Sequence, residues 1–209
     1  TNVEIQQQLP YLNPSKRLKK SIKVKLTLNG DRKQTCLMLS RQSLFNKSSK
    51  LDRSLKPLLE TIAFSGLGSR LYHIRETTGL FYSAHSRNGV YSDMKNNGFD
   101  YITLQCFPDK VDRAIDELKH LVSSEFWELN PITQQELDSA KAICYNQLYS
   151  TSTYNNISDT VLRIGNLYGE KFNDHVKKSY DAFKDVNLEE LNEFAAFFFQ
   201  NPYEHIIIS

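Results

Sequence analysis

The regular alternation of apolar and polar side chains over residues 22–28 is the feature that most constrains the fold. The apolar positions are Ile22, Val24, Leu26 and Leu28, and the residues between them are lysine or threonine. A period of two is typical of a β-strand with one buried and one solvated face, as in many antiparallel sheets. The segment therefore predicts an antiparallel sheet that is covered on one face only.

The remaining patterns place further strands and helices in groups along the chain. Strands are predicted over four more segments, residues 35–44, 80–86, 99–107 and 203–208. Helical spacing of apolar residues predicts two helices between positions 52 and 78 and several between positions 109 and 198. Because the helices form groups rather than alternating singly with strands, the order predicts an α+β fold with helices packed on one face of a mainly antiparallel sheet.

The N-terminal residues differ in composition from the rest of the chain. Residues 1–20 are polar and include two prolines, so they are predicted to be a linker or arm, and residues 21–209 to be one folded domain. The basic residues that cluster here are Lys16, Arg17, Lys19, Lys20, Lys23 and Lys25. The formal net charge is only +2, and neither an aromatic platform nor a groove-reading helix accompanies the cluster. We interpret it as a solvated linker and strand face and expect no nucleic-acid partner.

Cysteine usage and hydropathy bear on the environment of the protein. Cys36, Cys106 and Cys144 lie far apart and form no C-x-x-C pair, which argues against a disulfide framework or a structural zinc site. Each lies in an apolar pattern, so buried free thiols are expected, as is typical of a reducing compartment. No apolar run has membrane-spanning length and no signal peptide is recognisable. The chain begins at Thr1 rather than methionine, which indicates a processed or truncated piece of a longer protein.

An incomplete zinc-protease pattern lies near the middle of the chain. His73 and Glu76 have the spacing of H-x-x-E-H, but Thr77 occupies the position of the second histidine. A catalytic zinc needs three protein ligands, and His85, the next histidine, lies on the predicted strand beyond the helix. We therefore expect no metal site and no catalytic residue here, with His73 an ordinary helix residue.

Arg75 and Tyr82 are the candidate binding residues. Ser69 is predicted to cap a short helix, and Gly79 to end it in the left-handed conformation, with Arg75 in the last turn and Tyr82 on the strand that follows. A guanidinium and a phenol can both donate hydrogen bonds to a peptide carbonyl, more strongly as that oxygen gains negative charge. The alternative is that Arg75 merely favours the helix C-terminus, by about 0.3–1 kcal/mol, and that Tyr82 is an ordinary strand residue.

A second helix start is indicated at Asn130 and Pro131. Asparagine is a common helix cap, and proline is tolerated in the first turn because its missing N–H has no helical partner there.

Four segments in order resemble the C-terminal half of the M16 (insulinase, pitrilysin and mitochondrial processing peptidase) family. The first reads ETIAFSGLGSRLYHIRETTGLFYSA, over residues 60–84. It matches the family's S-R-L-F/Y followed by L-R-E-x-x-G-L-x-Y-S. The others are FPDKVDRAIDELKHLV, PITQQELDSAKAICYNQL with its threonine–glutamate–leucine helix start, and VNLEELNEFAAFFFQNPYEHIIIS. The resemblance covers roughly residues 20–209.

The resemblance implies a function that the residue patterns alone leave open. M16 enzymes consist of two related halves facing a chamber, each an α+β unit with a mainly antiparallel sheet of about six strands. One half carries H-x-x-E-H and binds zinc, and the other binds the substrate main chain through an arginine and a tyrosine. Arg75 and Tyr82 match that pair, and no H-x-x-E-H occurs in the chain. The resemblance therefore implies that this chain holds no cofactor. Zinc is expected in a partner half, either on the same chain or on a separate one. The expected substrates are peptides or unfolded polypeptides.

Two alternatives remain from the same resemblance. Some family members are structural or assembly subunits without proteolytic activity. A third possibility is a separate peptide-binding partner that acts only together with a zinc-bearing M16 chain.

Overall fold

The structure is a computed structural model that describes residues 34–42, 51–89, 99–150, 165, 169, 171–200 and 202–208. Its strands are β1 (Thr35–Gln42), β2 (Phe81–Gly89), β3 (Phe99–Cys106) and β4 (Glu204–Ile208). The first helices are α1 (Lys56–Phe64), α2 (Arg70–Thr78), α3 (Val111–Leu121) and α4 (Ser124–Leu129). The remaining helices are α5 (Gln134–Ser150), α6 (Phe172–Asp185) and α7 (Leu188–Phe198). A π-helical turn, Leu51–Leu55, precedes α1, and a 3-10 turn, Pro108–Lys110, precedes α3.

The four described strands form one antiparallel sheet in the order β2-β3-β1-β4. The closing strand β4 pairs with β1, so the last described element lies beside the first. The α+β class and the antiparallel pairing predicted from the sequence are confirmed. The strand predicted over residues 22–28 lies outside the described residues, and the described part of the chain contributes four strands rather than about six.

The helices cover one face of this sheet. Leu37 and Leu39 on β1 and Ile102 and Leu104 on β3 are fully buried, whereas residues that alternate with them, such as Met38, are only half-buried. Burying each of these side chains stabilises the fold by about 1.5–3 kcal/mol. The alternation confirms a sheet packed on one side.

A tryptophan joins the helices on the covered face. The ring of Trp127 on α4 stacks on Phe199 at 5.0 Å with an interplanar angle of 8°. Its indole Nε1 donates to the carbonyl of Leu121 at 2.7 Å, so the one polar atom of this buried ring is paired. None of the helices in the described part of the chain combines the length and apolarity that a bilayer crossing requires.

One end of the sheet contains a buried ionic cluster formed by Arg41, Lys56 and Asp100. Arg41 and Asp100 are register partners on β1 and β3, and Lys56 is the first residue of α1. The Asp100 carboxylate accepts from Arg41 Nε at 3.4 Å and from Lys56 Nζ at 3.1 Å. All three residues are buried, so the charge of each is costly unless it is paired.

Tyr203, just before β4, adds an unpaired hydroxyl to this cluster. The guanidinium carbon of Arg41 lies 4.3 Å from the centroid of the Tyr203 ring. Burial raises the pKa of the Tyr203 hydroxyl well above its usual range, so the group is neutral. Among the described residues, nothing accepts from or donates to this hydroxyl.

Substitution of Tyr203→Phe is therefore expected to stabilise the protein. The ring over Arg41 is retained, and removal of a buried unpaired hydroxyl should raise the free energy of unfolding by about 1 kcal/mol. Urea unfolding of the wild type and the variant measures the difference. A loss of stability of that size would show that the hydroxyl has a partner in solution.

Candidate functional site

Helix α2 begins and ends at the residues that the sequence indicates. The Ser69 hydroxyl accepts from the N–H of Tyr72 at 3.2 Å, which caps the first turn. Gly79 ends the helix with φ 59° and ψ 23°, and its N–H donates to the carbonyl of Arg75 at 2.9 Å. A residue with a Cβ is strained in this left-handed conformation, so glycine permits the sharp turn from α2 into β2.

Tyr82 lies in a β-bulge at the start of β2. Phe81 pairs with Cys106 and Ser83 with Gln105, so Tyr82 between them is an extra residue with no pairing partner on β3. Phe81 is buried, while Tyr82 is 71% exposed. Since β2 is the edge of the described sheet, the bulge directs the phenol away from the core and into solvent.

Arg75 lies on the other side of the Gly79 turn and is weakly held. Its guanidinium carbon is 5.2 Å from the Tyr72 ring centroid, and its Nε is 3.8 Å from Glu76 Oε1. The Arg75 side chain is 38% exposed, and an exposed ion pair of this kind contributes at most about 1 kcal/mol. Among the described residues, no hydrogen bond or ion pair joins Arg75 to Tyr82, so each can bind a third group.

The residues of the incomplete zinc pattern do not form a metal site. His73 and Glu76 are exposed on α2, and His85 is exposed on β2. Within the described ranges, no three histidine, cysteine, aspartate or glutamate side chains come together as metal ligands. The described residues therefore do not fit a catalytic zinc ion.

The three cysteines are free thiols, as their spacing predicts. Cys106 and Cys144 are buried and Cys36 is half-buried. Burial raises the pKa of the Cys106 and Cys144 thiols above the ordinary value. Both thiols are therefore protonated near neutral pH, and neither is a suitable nucleophile.

An arginine clamp that the sequence analysis did not identify fixes the start of α2. Arg70 pairs with Glu136 at both oxygens, with Nε 2.9 Å from Oε1 and Nη2 3.1 Å from Oε2. It also donates to the carbonyls of Asn130 at 2.7 Å and Pro131 at 3.1 Å, and it lies 4.5 Å from the Trp127 ring. The clamp joins α2 to the loop before α5, and so it fixes the helix that carries Arg75.

The helix start predicted at Asn130 and Pro131 is wrong. Helix α5 begins at Gln134, because Thr133 and Glu136 form a capping box in which the Glu136 N–H donates to Thr133 Oγ1 at 3.2 Å. In return, the Thr133 N–H donates to Glu136 Oε2 at 2.8 Å. The carbonyls of Asn130 and Pro131 are bound by Arg70 instead, so these residues belong to the preceding loop.

Glu136 makes part of the stability depend on pH. Burial acts to raise the pKa of its carboxyl, but hydrogen bonds from Arg70 and Thr133 outweigh burial and hold the pKa below the ordinary 4.5. Because the folded-state pKa is lowered, this stabilisation is complete above pH 4.5 and is lost as pH falls through the folded-state value.

We expect the stability difference between the wild type and Glu136→Gln to shrink on acidification. Glutamine cannot hold Arg70 by charge, so the variant should unfold at lower urea concentration at pH 7 but approach the wild type as the pH falls below 4.5. Urea midpoints between pH 7 and pH 3 measure this. A constant difference over that range would show that the charge of Glu136 is not responsible.

Comparison with known proteins identifies the family. A family model described as the peptidase M16 inactive domain matches residues 3–144, more than half of the chain. The chain belongs to this family. The resemblance to the zinc-less, C-terminal half of M16 peptidases is thereby confirmed, and the incomplete H-x-x-E-H pattern agrees with an inactive M16 domain.

Solved structures show that the fold is that of M16 domains. The inactive peptidase domain of a predicted zinc protease from Bordetella parapertussis matches with a TM-score of 0.70 at 16% identity, over 88% of this chain and 97% of that one. An M16 inactive domain from Pseudomonas fluorescens matches with a TM-score of 0.62 at 21% identity, over 83% of this chain and 40% of that one. A chain of complex III2 from Candida albicans matches with a TM-score of 0.61 at 12% identity, over 85% of this chain and 43% of that one.

These likenesses differ in what they cover. The protein described here spans less than half of the Pseudomonas and Candida chains but nearly all of the Bordetella domain. No curated protein matches the sequence. The match over residues 3–144 includes Arg75 and Tyr82, but it assigns neither of them a role.

Proposed function

We propose that this domain is the substrate-binding half of an M16 zinc metallopeptidase that cleaves peptides or unfolded polypeptides. The observation that supports this best is the placement of Arg75 and Tyr82 on the two sides of the Gly79 turn. Tyr82 is exposed, Arg75 is partly exposed, and neither is engaged in a strong contact. A surface that offers two uncommitted donors beside a sheet edge is suited to an extended peptide.

The two side chains would act on the same peptide group. The guanidinium of Arg75 carries a permanent charge, and the hydroxyl of Tyr82 is a neutral donor, so both can donate to one carbonyl oxygen of the substrate main chain. Both hydrogen bonds would strengthen as negative charge develops on that oxygen. Because they bind the main chain, they would accept many side chains.

The edge strand beside Tyr82 would extend the binding surface. Strand β2 has a paired neighbour, β3, on one side only among the described strands. An extended peptide can add main-chain hydrogen bonds to such an edge, as in β-augmentation. The exposed Tyr82 at the bulge would then fix the position of the peptide along the strand.

The zinc would come from a second M16 half, in cis or in trans. When bound there, zinc polarises the scissile carbonyl and supplies hydroxide, which the residues described here cannot do. We also propose that the complete sheet has about six strands, as in other M16 halves. The strand predicted at residues 22–28 would be one of them.

Reconstitution with the zinc-bearing half tests this function. The 209-residue chain alone should hydrolyse no peptide and hold less than about 0.1 zinc per chain, because its described residues offer no three ligands. The two halves together should cleave an unfolded substrate such as reduced casein. Metal analysis and a fluorogenic peptide assay measure both. Zinc bound tightly to the chain, or cleavage by the chain alone, would contradict the proposal.

A second candidate is a non-catalytic assembly subunit. The likeness of the fold to a chain of complex III2 favours it, since that chain belongs to a complex. Here Arg75 and Tyr82 would have no peptide to bind. Purification of the protein with its natural partners separates the two functions, because only the peptidase would copurify with zinc and release peptide fragments from casein.

A further inference from the structure

The Gly79 turn between Arg75 and Tyr82 is held from outside by one lysine. Lys110 Nζ donates to the carbonyl oxygen of Gly79 at 2.9 Å. A residue that ends a helix in the left-handed conformation has left the helical hydrogen-bond ladder, so its carbonyl is open to a donor from another element. Lys110 therefore adds a tie from the start of α3 to this turn, beside the burial of Leu80 that follows it.

The backbone of Lys110 is itself well fixed. Its N–H donates to the carbonyl of Phe107 at 3.0 Å, within the 3-10 turn that joins β3 to α3. Strand β3 ends at Cys106, which pairs with Phe81 next to the Tyr82 bulge. Lys110 thus connects the end of α2 to the pair of strands that carries Tyr82.

The ammonium group of Lys110 has no competing ion pair in the described part of the chain, because the nearest carboxylates lie beyond salt-bridge distance. Its other described neighbour is the Phe107 ring, whose centroid lies 5.8 Å away. A surface lysine without a carboxylate partner usually points into solvent, because its charge is best hydrated there. Here the Lys110 ammonium group binds the carbonyl of Gly79 instead, and Gly79 is the residue at which the chain turns from α2 into β2.

We propose that Lys110 is a positioning residue for the Arg75 and Tyr82 pair. By holding the Gly79 carbonyl, it fixes the direction in which β2 leaves α2, and so it aligns the guanidinium with the phenol. It acts through Gly79 and does not itself touch substrate. The inference rests on the proposed function, since it assigns a role within the same site.

Lys110→Met in the intact two-half peptidase tests the inference. Methionine is close to lysine in length and cannot donate, so the turn loses its tie while the packing of the stem is largely kept. Small displacements of a binding group can cost up to about 100-fold in rate, and we expect kcat/KM to fall by about tenfold, mainly through KM. Lys110→Arg, which can still donate, should recover most of this loss.

Two controls separate positioning from other effects. Lys119→Met removes the same charge from an exposed position on α3 and should change kcat/KM by less than about twofold. In a Tyr82→Phe background there is no longer a pair to align, so Lys110→Met should then cost less than about twofold. The urea midpoint of Lys110→Met should stay close to that of the wild type.

The outcomes distinguish this inference from the proposed function. If Arg75→Ala and Tyr82→Phe lower kcat/KM but Lys110→Met does not, the positioning role is wrong and the proposed function stands. An undiminished loss from Lys110→Met in the Tyr82→Phe background would also overturn the role, because Lys110 would then act independently of Tyr82. If none of the three variants loses activity, the proposed function fails.

Discussion

Substitution of Asp100→Asn is expected to lower the free energy of unfolding by about 3–5 kcal/mol, the range seen when one member of a buried ion pair is removed. Asp100 is fully buried and its two carboxylate oxygens face Arg41 and Lys56, at 3.4 Å and 3.1 Å. Asparagine keeps the volume but not the charge. Two buried cations would then lose the carboxylate that they share.

The surroundings explain why the cost should be large. Arg41 also donates to the carbonyl of Phe198 at 2.6 Å, and its guanidinium carbon lies 3.9 Å from the Phe198 ring centroid. These contacts hold Arg41 in place, so its side chain cannot easily swing into solvent when the carboxylate is removed. Its charge would stay in a poorly hydrated site without the carboxylate of Asp100, and burying a charge is costly unless it is paired.

Denaturant unfolding measures this effect against a matched control. Asp116→Asn makes the same change at an exposed position on α3 and should shift stability by no more than about 0.5 kcal/mol. A loss below about 1 kcal/mol in Asp100→Asn would show that the cluster is hydrated or paired differently in solution.

Substitution of Arg75→Ala in the intact peptidase is expected to lower kcat/KM by about 100- to 1,000-fold, as removal of one preorganised donor does in other enzymes. Tyr82→Phe should cost less, about 10- to 100-fold, because a neutral donor binds a carbonyl less strongly than a charged one. Tyr82 is exposed, and Arg75 is partly exposed with only a weak ion pair, so neither change should alter the urea midpoint appreciably.

A second arginine provides the control for this prediction. Arg113→Ala removes an exposed guanidinium from α3 and should leave kcat/KM within about twofold of the wild type. If Arg75→Ala behaves in the same way, Arg75 does not bind substrate.

The local part of the candidate site could be predicted from the sequence. Ser69 and Gly79 were expected to begin and end α2, and both do so, because caps depend on a few neighbouring residues. The same locality explains the error at Asn130. An asparagine followed by a proline favours a helix start. The capping box of Thr133 and Glu136 lies three residues further on, and the helix begins there instead.

Contacts between distant residues could not be predicted in this way. Arg70 reaches Glu136 across 66 positions, Lys110 reaches Gly79 across 31, and Arg41 reaches Asp100 across 59. Each depends on how whole elements pack, which periodicity does not reveal. The S-R-L-Y motif and the threonine–glutamate helix start were both recognised, yet only the fold shows that Arg70 and Glu136 of these two motifs bind each other.

The bulge at Tyr82 is a similar case. The alternation of residues 80–86 predicts a strand, and β2 is there, but one extra residue changes which side chains face the core. Strict alternation would have placed Phe81 and Tyr82 on opposite faces of a regular ladder. The bulge leaves Tyr82 outside the ladder and shifts the alternation, so that Ala84 rather than Ser83 packs against the core.

The measurement that most directly tests whether Arg75 and Tyr82 bind one substrate group together is a double-mutant cycle on kcat/KM in the intact peptidase. Wild type, Arg75→Ala, Tyr82→Phe and the double variant would be compared with one fluorogenic peptide. If both side chains hold the same peptide group, the double variant should lose less than the product of the two single losses, with a coupling energy of about 0.5–3 kcal/mol. Single variants with wild-type kcat/KM, or losses that multiply without coupling, would contradict the shared site.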